Sequence, residues 1–200
     1  MSKLKEPSSF IIICFSVDNE LYKPTTIIRQ YLICEECSNV KYLKDGVEYD
    51  HNLNKDNKYA HFKFIELLDI DKSNPKCNLA DSYFISINLE KEEIFEQLDS
   101  IFNYIQNNGN IDKKIYVIGF YINVNNIKED YKEDNIKEYL DQQKCNYEYS
   151  ELNFDSTNEL VKMIDFISND TIKIKKDIYI KNSNNIEPET DQSNSGCLIF

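Results

Sequence analysis

The sequence predicts an α/β fold, with a mostly parallel β-sheet carrying helices on both faces. Apolar runs of strand length alternate along the chain with stretches of helical periodicity, the order that produces parallel strands joined by crossover helices. The first of these runs, Phe10 to Phe15, is continuously apolar rather than alternating, as in a strand buried on both faces. A chain of 200 residues with 41% hydrophobic and 12% aromatic residues can also bury one sizeable core.

Taken in order, Phe10–Phe15 is the first strand, and residues 24–33 form a helix with Pro24 in its first turn. Residues 34–58 are polar and irregular, with a turn at Asp45-Gly46. His61–Leu68 is a strand, and residues 71–78 form a loop around Pro75. Ser82–Ile87 is another strand. The clearest helix is 90–107, where Ile94, Leu98, Ile101, Phe102 and Ile105 form one stripe. Lys114–Gly119 is a strand ending at glycine, 131–143 a helix with Ile136, Tyr139 and Leu140 inward, and Tyr147–Tyr149 a short strand. Ser156 or Thr157 caps a last helix with Leu160, Val161, Ile164 and Ile167 on one face. The organisation is thus an N-terminal extension over 1–9, a domain over 10–170 and a flexible polar tail over 171–200. Ligands of such sheets sit at the carboxyl ends of the strands, here the loops 16–24, 69–78, 120–127 and 150–156.

Composition narrows the function. With 35 acidic against 23 basic residues the net charge is −12. That argues against nucleic acid, whose phosphates are neutralised by Lys and Arg, and against adhesion of the whole body to anionic lipid. Arg29 is the one arginine, so bidentate clamps on phosphate are scarce. Only 4 glycines occur, against about 14 at average usage, and none precedes Gly46. A phosphate loop built on glycine's conformational freedom is therefore excluded after the first strand. No apolar run approaches the ~18–20 residues of a membrane helix, and Phe10–Phe15 is too short for a signal sequence. Cys34 and Cys37 form a CxxC, but Cys77, Cys145, His51 and His61 lack the paired spacing that would complete a zinc site. The cysteines are expected as reduced thiols.

Cys197-Leu198-Ile199-Phe200 has the form of a C-a-a-X box, in which a final Phe favours geranylgeranylation of the cysteine. The polar stretch 183–196 supplies the flexible approach that a prenyltransferase needs. One prenyl chain gives only marginal, reversible attachment, and Lys173, Lys175, Lys176 and Lys181 add a weak basic patch. The expectation is a lipoprotein on the cytoplasmic face of a membrane, exchangeable with the cytosol and assisted by a prenyl-binding chaperone.

These residues together resemble the Ras/Rab/Rho small GTPase superfamily over roughly 10–170, plus the tail. Ala80 to Leu89 and Ile94 to Leu98 resemble the family's central strand and the helix after it, "ADxxxLVYDxTxxxSFExL". Leu67-Leu68-Asp69 resembles the strand that ends in "DTAGQ". Ile115–Gly119 resembles the strand before the guanine-reading NKxD motif, Tyr147–Leu152 the stretch carrying "ETSAK", and Glu159–Ile167 the closing helix. The resemblance implies a P-loop NTPase domain with a mostly parallel six-stranded sheet and GTP or GDP with Mg²⁺ as ligand. It also implies effector or regulator proteins as partners. Glu35, Glu36, Tyr42 and Lys44 lie in the region matching the first switch. The loop after Asp69 is shorter than the family's, which implies a trimmed second switch.

The departures from the family fall on chemistry. Where the family has GxxxxGK[S/T], this chain runs from Phe15 to Thr25 with no glycine; Pro24 separates Lys23 from Thr25, and Asp18 and Glu20 bring negative charge. No threonine lies between Thr26 and Thr157 to serve the first switch. Ile70–Ser73 replaces T-A-G-Q, removing the glutamine that orients the attacking water. Residues 120–123 replace N-K-x-D, and Asn123 offers guanine one acceptor and one donor instead of two acceptors. The sequence therefore reads as a membrane-anchored, small-GTPase-like binding module for signalling or trafficking, with nucleotide binding and hydrolysis weakened or lost and no catalytic residue. The alternative is a divergent but active GTPase. In that case Lys23, Thr25, Thr26, Asn123 and Ser150 would hold the nucleotide, and Asp69 the metal.

Overall fold

The computed structural model describes residues 8–17, 22–35, 39–52, 59–68 and 74–184. Seven strands form one mixed sheet in the order β2-β3-β4-β1-β5-β6-β7. They are β1 (Ser9–Ser16), β2 (Lys41–Leu43), β3 (Gly46–Asn52), β4 (Tyr59–Glu66), β5 (Ser82–Asn88), β6 (Ile115–Tyr121) and β7 (Tyr147–Asn153). From β4 through β7 every neighbouring pair is parallel. At the other edge β3 pairs antiparallel with β4, and β2 antiparallel with β3. Four helices, α1 (Pro24–Cys34), α2 (Ile94–Asn108), α3 (Glu133–Gln142) and α4 (Thr157–Asn184), cover it.

The α/β class and the helices on both faces are as expected. The strand count is not: the sheet has seven strands and is mixed, where six were expected. The difference lies in 34–58, expected to be irregular. Its polar residues hide a period of two, with Val47 and Tyr49 buried between the half-buried Glu48 and Asp50. Lys44 and Asp45 form a two-residue turn that pairs Leu43 with Gly46. Gly46 is required there because a Cβ would lie 2.1 Å from the Phe64 carbonyl oxygen. Glu48 on β3 is flanked across the ladder by Lys63 and, at 3.8 Å, Lys41, which matches charge between neighbouring strands.

Two apolar layers flank the sheet. On one face Ile27, Ile28, Tyr31, Leu160, Ile164 and Ile167 bring α1 and α4 onto Phe10, Phe62, Phe64 and Tyr116. On the other, Ile94, Leu98, Ile101, Phe102, Ile136 and Leu140 bring α2 and α3 onto Ile13, Ile85 and Val117. In α2, α3 and α4 these are residues whose helical spacing predicts inward stripes, although Tyr139 and Val161, expected with them, are only half-buried.

The expected tail begins later than residue 171, because α4 continues to Asn184. Thr171 and Ile172 are buried, and the Thr171 hydroxyl lies 2.9 Å from Ser82 Oγ. One turn further, Lys175 Nζ donates to the Ser9 carbonyl and to Asp81 Oδ2, both at 2.8 Å. Between β4 and β5 the described residues 74–80 hold only a three-residue 3₁₀ turn, Cys77–Leu79.

Candidate functional site at the carboxyl ends of the strands

The chain leaves β1 at Ser16 and re-enters the described structure at Tyr22, immediately before α1. Both sides of that gap are tied to β5: the Val17 amide donates to the Ser86 carbonyl at 2.8 Å, and Ser86 Oγ donates to the Tyr22 carbonyl at 2.7 Å. The Tyr22 ring stacks on Phe120 at 5.6 Å and meets Phe154 edge-on at 4.8 Å. Phe120 and Phe154 lie 6.0 Å apart, again edge to face. Three of the inspected loops, those after β1, β6 and β7, are thus joined by one aromatic cluster. Such offset and edge-on pairs add stability beyond their buried area.

Thr25, in the first turn of α1, donates its hydroxyl to Glu66 Oε2 at 2.5 Å. Glu66 is the last residue of β4, is only 5% exposed, and stands opposite Cys14 in the parallel ladder. Its second oxygen, Oε1, is buried and meets no hydrogen-bond partner among the described residues. The Cys14 thiol is pushed well above its ordinary pKa, first by burial and then by the Glu66 carboxylate, so it stays protonated.

The other expected site residues disperse. Lys23 is half-buried at the N-terminus of α1, where its carbonyl accepts the amides of Thr26 (2.9 Å) and Ile27 (3.0 Å). Thr26 is exposed. Asn123 is also exposed, and its Oδ1 accepts the Asn125 amide at 3.0 Å, capping a 3₁₀ turn. The Asn123 amide in turn donates to Glu90 Oε1 at 2.8 Å, and the Ile122 amide reaches the same oxygen at 3.3 Å. Ser150, expected in the last loop, lies within β7 opposite Ile118, because β7 runs on to Asn153. It lines a groove of about 420 Å³ between β7 and α4, with Glu148, Leu152, Met163 and Phe166. Asp69, Glu36 and Cys197 lie outside the described residues. Glu35, Tyr42 and Lys44 are exposed, and Arg29 places its guanidinium 5.3 Å from the centroid of the Tyr42 ring.

Sequence reasoning missed Glu66, Glu90 and the aromatic cluster. Glu66 had a readable signal, since it is the one carboxylate inside the apolar run 64–68. Glu90 and Phe154 gave none, because their partners are 32 residues or more away in the chain.

No protein-family model matches this chain. Nor does any curated protein. Among the described residues no helix is long and apolar enough to cross a membrane, and no group of three or more His, Cys, Asp or Glu side chains gathers to hold a metal ion.

Proposed function

We propose that this chain is a small-GTPase-like binding module in signalling or trafficking that has exchanged its nucleotide site for a packed interior. The observation that carries the reading is the Tyr22–Phe120–Phe154 cluster, which joins the loops that the resemblance assigns to phosphate and base. A nucleotide seated between those loops would have to break ring contacts at 4.8–6.0 Å.

Among the described residues, Thr25 and Asn123 do not fit GTP with Mg²⁺. The Thr25 hydroxyl is committed to Glu66, so a buried carboxylate stands at the helix end where a phosphate would gain from the dipole. At ~4 Å two such negative charges repel by about 1 to 4 kcal/mol, depending on the local dielectric. Asn123 spends its acceptor on its own loop. No hydrolytic step is assigned. The short turn at 77–79 is consistent with a reduced second switch.

The deciding experiment is HPLC of nucleotide released from denatured purified protein, with calorimetry of added GTP and Mg²⁺. No guanine nucleotide and no binding are expected; stoichiometric GDP, or micromolar affinity for GTP, overturns the reading. Attachment through a prenylated Cys197 is the second half of the proposal. Membrane fractionation of wild type against Cys197→Ser tests it, and an unchanged distribution removes the anchor.

A further inference from the structure

On the face away from α1 and α4, an open groove of about 380 Å³ runs between α2 and α3. Three aromatic rings line it. Phe95 lies 4.7 Å from Tyr139 and 5.3 Å from Tyr131, the latter pair edge to face. Asp130, Asn135 and Glu138 complete the lining, together with Gln142. No lysine or arginine lines it. Three lysines of the same segment are held by other carboxylates: Lys128 by Glu92 at 3.5 Å, Lys132 by Glu129 at 2.6 Å and Lys137 by Glu133 at 2.5 Å. Among the described residues Asp130 and Glu138 form no ion pair. Residues 90–142 carry twelve acidic and six basic side chains, half of the net charge of −12 in about a quarter of the chain.

We infer that this groove is a docking site for a partner protein segment that presents an arginine or lysine side chain. Aromatic faces are negative and attract a cation lying within about 6 Å of the ring centre. Tyr139 is prepared for this, since its hydroxyl donates to Asp99 Oδ1 at 2.6 Å, which pushes electron density back into the ring. Asp130 and Glu138 provide the charge complement, and an arginine fork matches a carboxylate edge as well as a ring face. The volume lies within the range of about 300–1,000 Å³ typical of small-ligand sites. The inference goes beyond the nucleotide reading and stands or falls separately from it.

The test is NMR titration of the labelled full chain with a capped pentapeptide bearing two arginines separated by glycine, and with the same peptide bearing glutamates. Saturable shifts confined to amides of 94–99 and 130–142, seen with the arginine peptide alone, are expected. The double variant Asp130→Asn with Glu138→Gln changes exposed side chains, so the fold is not at risk, and it should weaken binding tenfold or more. Tyr139→Phe keeps the ring and should cost less than Tyr139→Leu. Shifts spread over the whole acidic surface, equal binding of the glutamate peptide, or unchanged affinity in the double variant would each overturn the inference.

Discussion

The Thr25 hydroxyl donates to the Glu66 carboxylate at 2.5 Å, joining the first turn of α1 to the end of β4. It is the one hydrogen bond that Glu66's side chain makes among the described residues, since Oε1 meets no partner. Thr25→Val therefore strands a buried carboxylate. Removing such a partner costs about 1.5–3 kcal/mol, which urea unfolding of the variant will read as a lower midpoint at unchanged slope. Adding Glu66→Gln should recover part of the loss, because a neutral amide is cheaper to bury than an anion. A single variant as stable as wild type would deny the bond its role.

The aromatic cluster makes a second prediction. Phe120→Ala should destabilise by about 3–5 kcal/mol, the usual cost of emptying a buried ring site. Millimolar GTP with Mg²⁺ should leave the Tm of the wild type where it was. A ligand at a hundred times its Kd would instead add about 2.7 kcal/mol.

Lys144 follows the end of α3 with φ at 52°, in the left-handed region. Glycine adopts that conformation without the Cβ clash, and it is the preferred residue just beyond a helix. Lys144→Gly should stabilise the protein by about 0.5–1 kcal/mol, while Lys144→Ala should not. Thermal melts of the two variants provide the comparison.

His51 makes stability depend on pH. Burial lowers its pKa from 6.5, against the opposing pull of Asp165 and Glu35. The folded protein thus binds the proton more weakly than the unfolded chain does. The contribution is complete above pH 6.5 and declines as the pH falls through the folded value. Unfolding free energy measured from pH 7.5 downward should drop first in this window. His51→Phe, which keeps the edge-on packing against Phe62 at 5.9 Å, should flatten it. Asp45 and Glu48, whose pKa values lie below 3.8 and 4.5 through their lysine partners, add a separate loss only at lower pH.

The parts of the fold legible in the sequence were those with strong periodicity. The apolar run of β1 and the stripe from Ile94 to Ile105 were read correctly, because burial on a sheet or helix face leaves a pattern in hydrophobicity alone. The β2–β3 hairpin escaped because β3 alternates buried and half-buried positions, and Glu48 and Asp50 broke the run of apolar residues. The reach of α4 past residue 171 escaped for a similar reason: Lys173, Lys175 and Lys176 read as a solvated tail. In the fold Lys175 crosses to Ser9 and Asp81. At the candidate site Thr25 and Asn123 were singled out for ligand chemistry, yet each is satisfied by a neighbour that periodicity does not reveal. Side-chain pairs between distant segments depend on register and topology, and a single sequence carries neither.

The anchoring of Lys175 has a mechanical consequence. Ser9 and Asp81 mark the amino ends of β1 and β5, so α4 leaves the body at the pole opposite Tyr22 and Asn123. Nine helical residues follow Lys175 before α4 ends at Asn184. At 1.5 Å per residue they form a stalk of roughly 14 Å. The loops beside Tyr22 and Asn123 therefore lie at the pole opposite the one from which the chain runs on past Asn184.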